Sequence, residues 1–271
     1  MKVIEYKVEG KGGASVCEDG LVVTPSHCAV IDGSTSKSPR SVHPTLRNGR
    51  YCMQLVSRAI GQLPPQATRD EVIDLLTEAV RAEYRSRGLS VDRLRQHPEE
   101  RLTCSVAVYS CHHRQLWMIG DCQALVAGTV YSVRDPQEEL LARRRAQFIV
   151  QALDEGTPPE VFREPSDPGR AIILPDLVAK TRRQNQTYAV IGGFSVYRAG
   201  VQTLALPART EVVLATDGYP CLWPTLAETE DYLQQVLQAD PLCIRRHPAT
   251  KGVYARQVSF DDRTYLRFST G

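Results

Sequence analysis

Val212-Val213-Leu214-Ala215-Thr216-Asp217-Gly218 is an apolar, β-branched run that ends in an acid beside a glycine. Short runs of this kind, closed by Asp or Gly, read as strands. Residues 210–215 are therefore expected to form a strand that delivers Asp217 to its mouth. The same arrangement recurs at Ala29-Val30-Ile31-Asp32-Gly33, at Leu116-Trp117-Met118-Ile119-Gly120-Asp121 and at Phe260-Asp261-Asp262, while Glu18-Asp19-Gly20 opens another strand. Carboxylates at strand mouths project to one end of a sheet, so these acids can converge. A single Asp-Gly is ordinary turn chemistry; the ordered set is harder to explain that way. Hard divalent ions take oxygen ligands, and Mg²⁺ or Mn²⁺ combine a few carboxylates with several waters. A glycine beside the acid lets a backbone carbonyl come close.

Outward from these mouths, strands are expected at 2–9, 20–23, 27–31, 103–110, 115–119, 123–133, 188–191, 201–205, 254–258 and 264–268. Helices are expected at 46–63, where Pro64-Pro65 stops the run, at 69–87, 137–154 and 226–237. Thr68 with Glu71 three residues on is a capping-box signature for the helix at 69–87. In 137–154 the apolar Leu140, Leu141, Ile149 and Leu153 lie opposite Arg143-Arg144-Arg145, which reads as a solvated basic face. Residues 154–170, rich in Pro and Gly, read as a loop excursion, a flap near the site. Strands in runs and helices in pairs indicate an α+β domain spanning residues 1–271 rather than alternating βα units.

Composition narrows the function classes. The chain has 271 residues, 33 Lys and Arg against 31 Asp and Glu, and a net charge of +2. A protein that coats nucleic acid needs a clear basic excess, so no nucleic-acid partner is expected. No apolar run approaches the about 20 residues of a membrane span, and the alternating amino end is not a secretory leader, so no membrane partner is expected either. The eight cysteines sit at scattered apolar positions without a CxxC pair and read as reduced core thiols of a cytoplasmic protein. Cys111-His112-His113, between two strand-like runs, reads as a hairpin tip rather than a metal cluster.

In order and context these acids resemble the metal-dependent Ser/Thr protein phosphatases of the PPM (type-2C) family, in its divergent bacterial form. Cys17-Glu18-Asp19 followed by Ala29-Val30-Ile31-Asp32-Gly33 is similar to the paired early acids and the Asp-Gly metal motif. The run to Gly120-Asp121, the Ala215-Thr216-Asp217-Gly218 signature and the terminal Asp261-Asp262-Arg263-Thr264 are similar to the later motifs. The resemblance implies a four-layer αββα sandwich of two antiparallel sheets flanked by helices. It also implies two Mg²⁺ or Mn²⁺ ions and a phosphoprotein substrate dephosphorylated at Ser or Thr. Asp32 would bridge the ions, with Gly33 offering its carbonyl. Asp217 and Asp261 would hold one ion, Glu18 and Asp19 would hold waters of the other, and Asp121 matches an additional, weaker position. Two such ions generate a hydroxide near neutral pH and neutralise phosphoryl oxygens. Asp32 and Asp217 are the expected catalytic residues.

The chain departs from the family at three places. Ser34 follows Asp-Gly where many members carry a His, and its hydroxyl is no proton donor near pH 7. Ala14 stands where many members grip phosphate with Arg, leaving Lys11, Lys37 or Arg40 as possible substitutes. Cys221 replaces the acid that usually completes the third-ion position. These losses also fit a catalytically silent relative that acts as a binding or regulatory module. An N-terminal-nucleophile hydrolase is not expected, since the chain opens Met1-Lys2 and that reading would leave the carboxylate set unexplained. A Cys122 nucleophile is disfavoured because Asp121 beside it raises the thiol pKa.

Overall fold

The computed structural model describes residues 1–133 and 135–271. In chain order the strands are β1 (Lys2–Glu9), β2 (Asp19–Val23), β3 (His27–Gly33), β4 (Cys104–Ser110), β5 (Gln115–Ile119), β6 (Gln123–Val126), β7 (Thr129–Ser132), β8 (Gln202–Ala205), β9 (Glu211–Ala215) and β10 (Arg263–Ser269). The helices are α1 (Asn48–Ile60), α2 (Arg69–Ser86), α3 (Val91–Gln96), α4 (Pro136–Asp154), α5 (Pro168–Thr181) and α6 (Leu226–Ala239). Two five-stranded sheets form, ordered β1-β10-β9-β6-β7 and β2-β3-β4-β5-β8. Every pairing in them is antiparallel.

Successive side chains of a strand point to opposite faces, and that alternation builds the layers. In β3 and β4, Ala29, Ile31, Val106 and Val108 pack outward against Cys52, Val56 and Ile60 of α1 and against α2. Their neighbours Cys28, Val30, Ala107 and Tyr109 face inward, onto Val212, Leu214, Leu266 and Phe268 of the other sheet. From β9 and β10, Val213, Ala215 and Tyr265 reach outward to Leu233 and Leu237 of α6. The result is helix, sheet, sheet, helix, the four-layer α+β arrangement that the resemblance implies. β4 is buried along its whole length because both its faces are covered. Each fully buried Val, Leu, Ile or Phe contributes about 1.5–3 kcal/mol to this core.

Local chemistry explains the element ends. Glu71 N–H donates to Thr68 Oγ1 at 3.4 Å while Thr68 N–H donates to Glu71 Oε2 at 2.8 Å, so the expected capping box opens α2. The expected strand at 123–133 is two strands, because Ala127 (φ 48°) and Gly128 (φ 79°) make a tight turn between β6 and β7. Residues 188–191 contribute isolated bridges rather than a strand, Ile191 to Cys104 and Tyr188 to Gln184. Residues 254–258 form no strand; Gln257 N–H closes a turn onto Tyr254 O, and Arg256 is left-handed at φ 65°. No sequence signal was read for α5, since Pro175 lies inside it. Asp167 caps that helix, accepting from Gly169 N–H at 2.8 Å, and Pro168 opens its first turn.

Two further expectations are corrected. The segment 154–170 is not a free flap: Phe162 is buried with Ile149, Leu242 and Ile244. The basic triplet is not uniformly solvated, because Arg145 is 0% exposed and ion-paired to Asp167 at 2.8 Å. Its other donors meet the carbonyls of Leu242 (2.9 Å) and Ala249 (3.2 Å). Arg143 and Arg144 do face solvent. All the cysteines are free, and no helix among the described residues is long and apolar enough to cross a membrane.

Candidate active site

The strand mouths converge where the two sheets end. The β2–β3 register sets Asp19 opposite Asp32, and the β3–β4 register sets Ser105 opposite Asp32 on the other side. From the second sheet, β9 runs through Thr216 into Asp217, and Thr216 N–H donates to Thr264 O of β10 at 3.1 Å. Gln123 at the start of β6 clamps the Asp217-Gly218 turn, donating from Nε2 to Thr216 O (3.2 Å) and Tyr219 O (2.8 Å). Glycine is required at 218, since a Cβ there would lie 2.0 Å from Asp262 O. Gly33 is equally confined, with a Cβ position 2.4 Å from Gly49 O and 2.5 Å from Glu18 O.

Asp32, Gly33, Asp121, Asp217 and Asp261 line one cleft of about 580 Å³. Glu18 and Asp19 are buried behind it rather than lining it. Thr216 Oγ1 donates to Asp19 Oδ2 at 2.6 Å. Thr35 Oγ1 donates to Glu18 Oε2 at 2.9 Å, while Glu18 Oε1 is buried without a hydrogen-bond partner.

The acids differ in how their charge is balanced. Burial in the cleft pushes the Asp32 and Asp217 carboxyls well above the usual range, and the neighbouring carboxylates push them further. The two side chains lie within hydrogen-bonding reach of each other. Asp121 is also raised, by burial and then by Glu138, with Ser105 opposing through a hydroxyl that donates to Asp121 Oδ1 at 2.6 Å. Asp261 is the opposite case. Burial works against its charge, yet Lys11 and Lys251 hold its pKa below the usual range.

Across the cleft, α4 and α5 form a wall with basic groups. Lys180 pairs with Asp135 at 3.1 Å and with Glu138. Arg170 Nη1 donates to Thr250 O at 2.8 Å. Lys37 also lines the cleft; burial lowers its pKa to about 8 despite the attraction of Glu138. Arg40, by contrast, is 64% exposed and lies 3.4 Å from Glu100 rather than in the cleft. Cys221 does not line the cleft, and the buried Cys122 thiol is raised by burial and by the acids around it, which makes it a poor nucleophile. Lys251 and Ser105 had no local motif to mark them; each is identified only by its contact with a cleft acid.

Among the described residues, no group of three or more His, Cys, Asp or Glu side chains is arranged to hold a metal ion. The Asp32–Asp217 pair does fit one: Mg²⁺ is commonly held through one or two carboxylates, the rest of its shell being water. Among the described residues neither carboxylate has an ion-pair partner, so the positive charge that would balance them is missing. Asp261 does not fit in its present state, since both its oxygens are engaged by lysines.

The fold and the cleft define a class, a two-sheet α+β sandwich with an acidic cleft at its strand mouths. Neither a protein-family model nor a curated protein sequence matches the chain. Among solved structures the chain is similar to the Mycobacterium tuberculosis serine/threonine phosphatase PstP/Ppp, at 16% identity over 97% of this chain and 96% of that one, with a TM-score of 0.44. It is similar to the serine/threonine phosphatase Stp1 from Staphylococcus aureus, at 12% identity over 100% and 96% of the two chains, TM-score 0.47. It is also similar to RsbX in complex with magnesium, at 11% identity over 97% and 92%, TM-score 0.45.

Proposed function

We propose that the chain is a divalent-cation-dependent phosphohydrolase of the PPM (type-2C) kind, acting on phosphoserine or phosphothreonine in proteins. The observation that carries this is the Asp32–Asp217 pair, brought by different sheets to one cleft and, among the described residues, without an ion-pair partner. A Mg²⁺ or Mn²⁺ ion held there supplies an acidified water and neutralises phosphoryl oxygens. The protein's part is positioning: Asp32 and Asp217 hold the cation, and Asp121 widens the acidic floor. Lys37 and Arg170 line the same cleft, and their charge suits the phosphoryl oxygens of a substrate. Ser34 lines the cleft but cannot give a proton to the leaving alkoxide near pH 7. Residues 1–271 act as one unit in this proposal, since β1 and β10, at the two ends of the chain, pair with each other. The free thiols suit the reducing cytoplasm.

One observation favours a second reading, a silent relative that binds a phosphorylated ligand without hydrolysing it: the lysines on Asp261. Hydrolysis of p-nitrophenyl phosphate and of a phosphopeptide with Mn²⁺ separates the two. The enzyme shows Mn²⁺-dependent turnover that Asp32→Ala and Asp217→Ala each reduce by about a thousandfold, the equivalent of several kcal/mol of charge stabilisation. Turnover that ignores Mn²⁺, or that survives both substitutions, would falsify it. Phosphopeptide binding without turnover establishes the second reading.

A further inference from the structure

The acids of the cleft fall into two sets with different counter-charges. Asp32 and Asp217 line the cleft and, among the described residues, have no ion-pair partner. Asp261 has one ammonium on each oxygen, Lys11 Nζ at 2.8 Å from Oδ1 and Lys251 Nζ at 2.6 Å from Oδ2. Lys11 is fixed in place: its Nζ also lies 3.2 Å from Asp262 Oδ2, and its backbone N–H donates to Asp262 Oδ1 at 2.8 Å. Glu18 N–H completes Asp262, donating to Oδ2 at 3.0 Å. Asp261 and Asp262 are thus matched in charge by Lys11 and Lys251. A cation arriving at Asp261 would have to displace at least one lysine and leave a recessed ammonium without its partner, which is costly. Lys11 and Lys251 are themselves nearly enclosed, with side chains 10% and 14% exposed, so neither swings readily into solvent.

We propose that the cleft takes one divalent ion, at Asp32 and Asp217, and that Lys11 and Lys251 stand at Asp261 in place of a second. The inference rests on the phosphohydrolase reading for the first ion and goes beyond it in the number of ions. The lysines then leave the Asp261 side of the cleft balanced without a metal, and only the Asp32–Asp217 side depends on one.

The test is a Mn²⁺ titration of the whole chain by calorimetry, with free Mn²⁺ counted by electron paramagnetic resonance. The expected stoichiometry is one ion per chain. Lys11→Met keeps the aliphatic stem and the backbone N–H to Asp262, so the double variant K11M/K251M removes only the ammoniums. Its stoichiometry is expected to rise to two. Two ions on the unaltered protein overturn this inference and leave the phosphohydrolase reading standing; no ion at all overturns both. A folded double variant that still binds one ion overturns the role given to the lysines. Should the double variant fail to fold, K251M alone decides, because it frees Asp261 Oδ2. A second, weaker binding event supports the inference, and its absence refutes it.

Discussion

Glu230 and the Asp32–Asp217 pair lie in the same sandwich, and each experiences burial that disfavours its charge. Glu230, on α6, is surrounded by donors. Tyr219 Oη and Arg263 Nε donate to its Oε1 at 2.6 and 2.8 Å, while Lys7 Nζ and Arg263 Nη2 each donate to Oε2 at 2.9 Å. These outweigh burial and hold its pKa at about 2. Asp32 and Asp217 have mainly other acids for neighbours, and their pKa values go up instead. The difference separates structure from function. A fold that balances a buried acid with its own cations is stabilising itself; one that gathers acids and leaves them unbalanced has made a place for charge from outside.

The most severe way to test that distinction is to remove one acid of each kind. Arg145 and Asp167 are both 0% exposed in their side chains and are the most enclosed balanced pair. Asp167→Ala would leave Arg145 buried with two carbonyls and no counter-charge, and is expected to destabilise the protein by about 3–5 kcal/mol. Asp217→Asn removes a repulsive acid and should leave stability unchanged or raise it. Urea denaturation measures both. A loss in D217N as large as that in D167A would erase the distinction.

The second test uses pH. For Asp32 and Asp217 the folded pKa is raised from an ordinary 3.8, so the folded state binds more protons than the unfolded one above that pH. Their contribution to stability is present below about pH 4 and is lost as pH rises through the raised folded pKa values. Glu230 runs the other way: its pKa is lowered from 4.5 to about 2, so its contribution is present above 4.5 and is lost as pH falls toward 2. Mn²⁺ competes with protons for these carboxylates and should therefore stabilise the protein more at pH 8 than at pH 5. At a hundredfold excess over its Kd the gain at pH 8 is about 2.7 kcal/mol. Thermal unfolding with and without Mn²⁺ at the two pH values reads this directly. Equal shifts at both would mean that the ion binds away from the protonated pair.

The same contrast explains what was legible in the sequence. The sheets and their acidic mouths follow local rules, β-branched alternation closed by Asp and Gly, and so Asp32, Asp121, Asp217 and Asp261 could be assigned to one end of the sandwich. The capping box of α2 is equally local. Balanced charges are long-range. Nothing around Arg145 in its basic triplet announces that Asp167 and the Leu242 and Ala249 carbonyls will enclose it. Nothing around Lys11 announces Asp261, since the two are 250 positions apart. Helix α5 was hidden for another reason, because Pro175 removes a donor from its interior and reads as a break.

Asp121 lies between the two kinds of acid and offers the smallest and most discriminating test. Its pKa is raised by burial and by Glu138, yet the Ser105 hydroxyl, 2.6 Å away, favours its charged form. Gly120 leaves room for that hydroxyl, because a Cβ on it would lie 2.2 Å from Ser105 Oγ. Ser105→Ala should cost about 1 kcal/mol, the scale of one hydrogen bond, and move the Asp121 titration further up, as followed by carboxyl NMR. Mn²⁺ affinity at Asp32 and Asp217 should stay the same if Asp121 is balanced by its hydroxyl and stands apart from the ion. If S105A instead weakens Mn²⁺ binding, Asp121 shares the charge that holds the cation. The unbalanced set is then three acids, and the cation site extends beyond the Asp32–Asp217 pair.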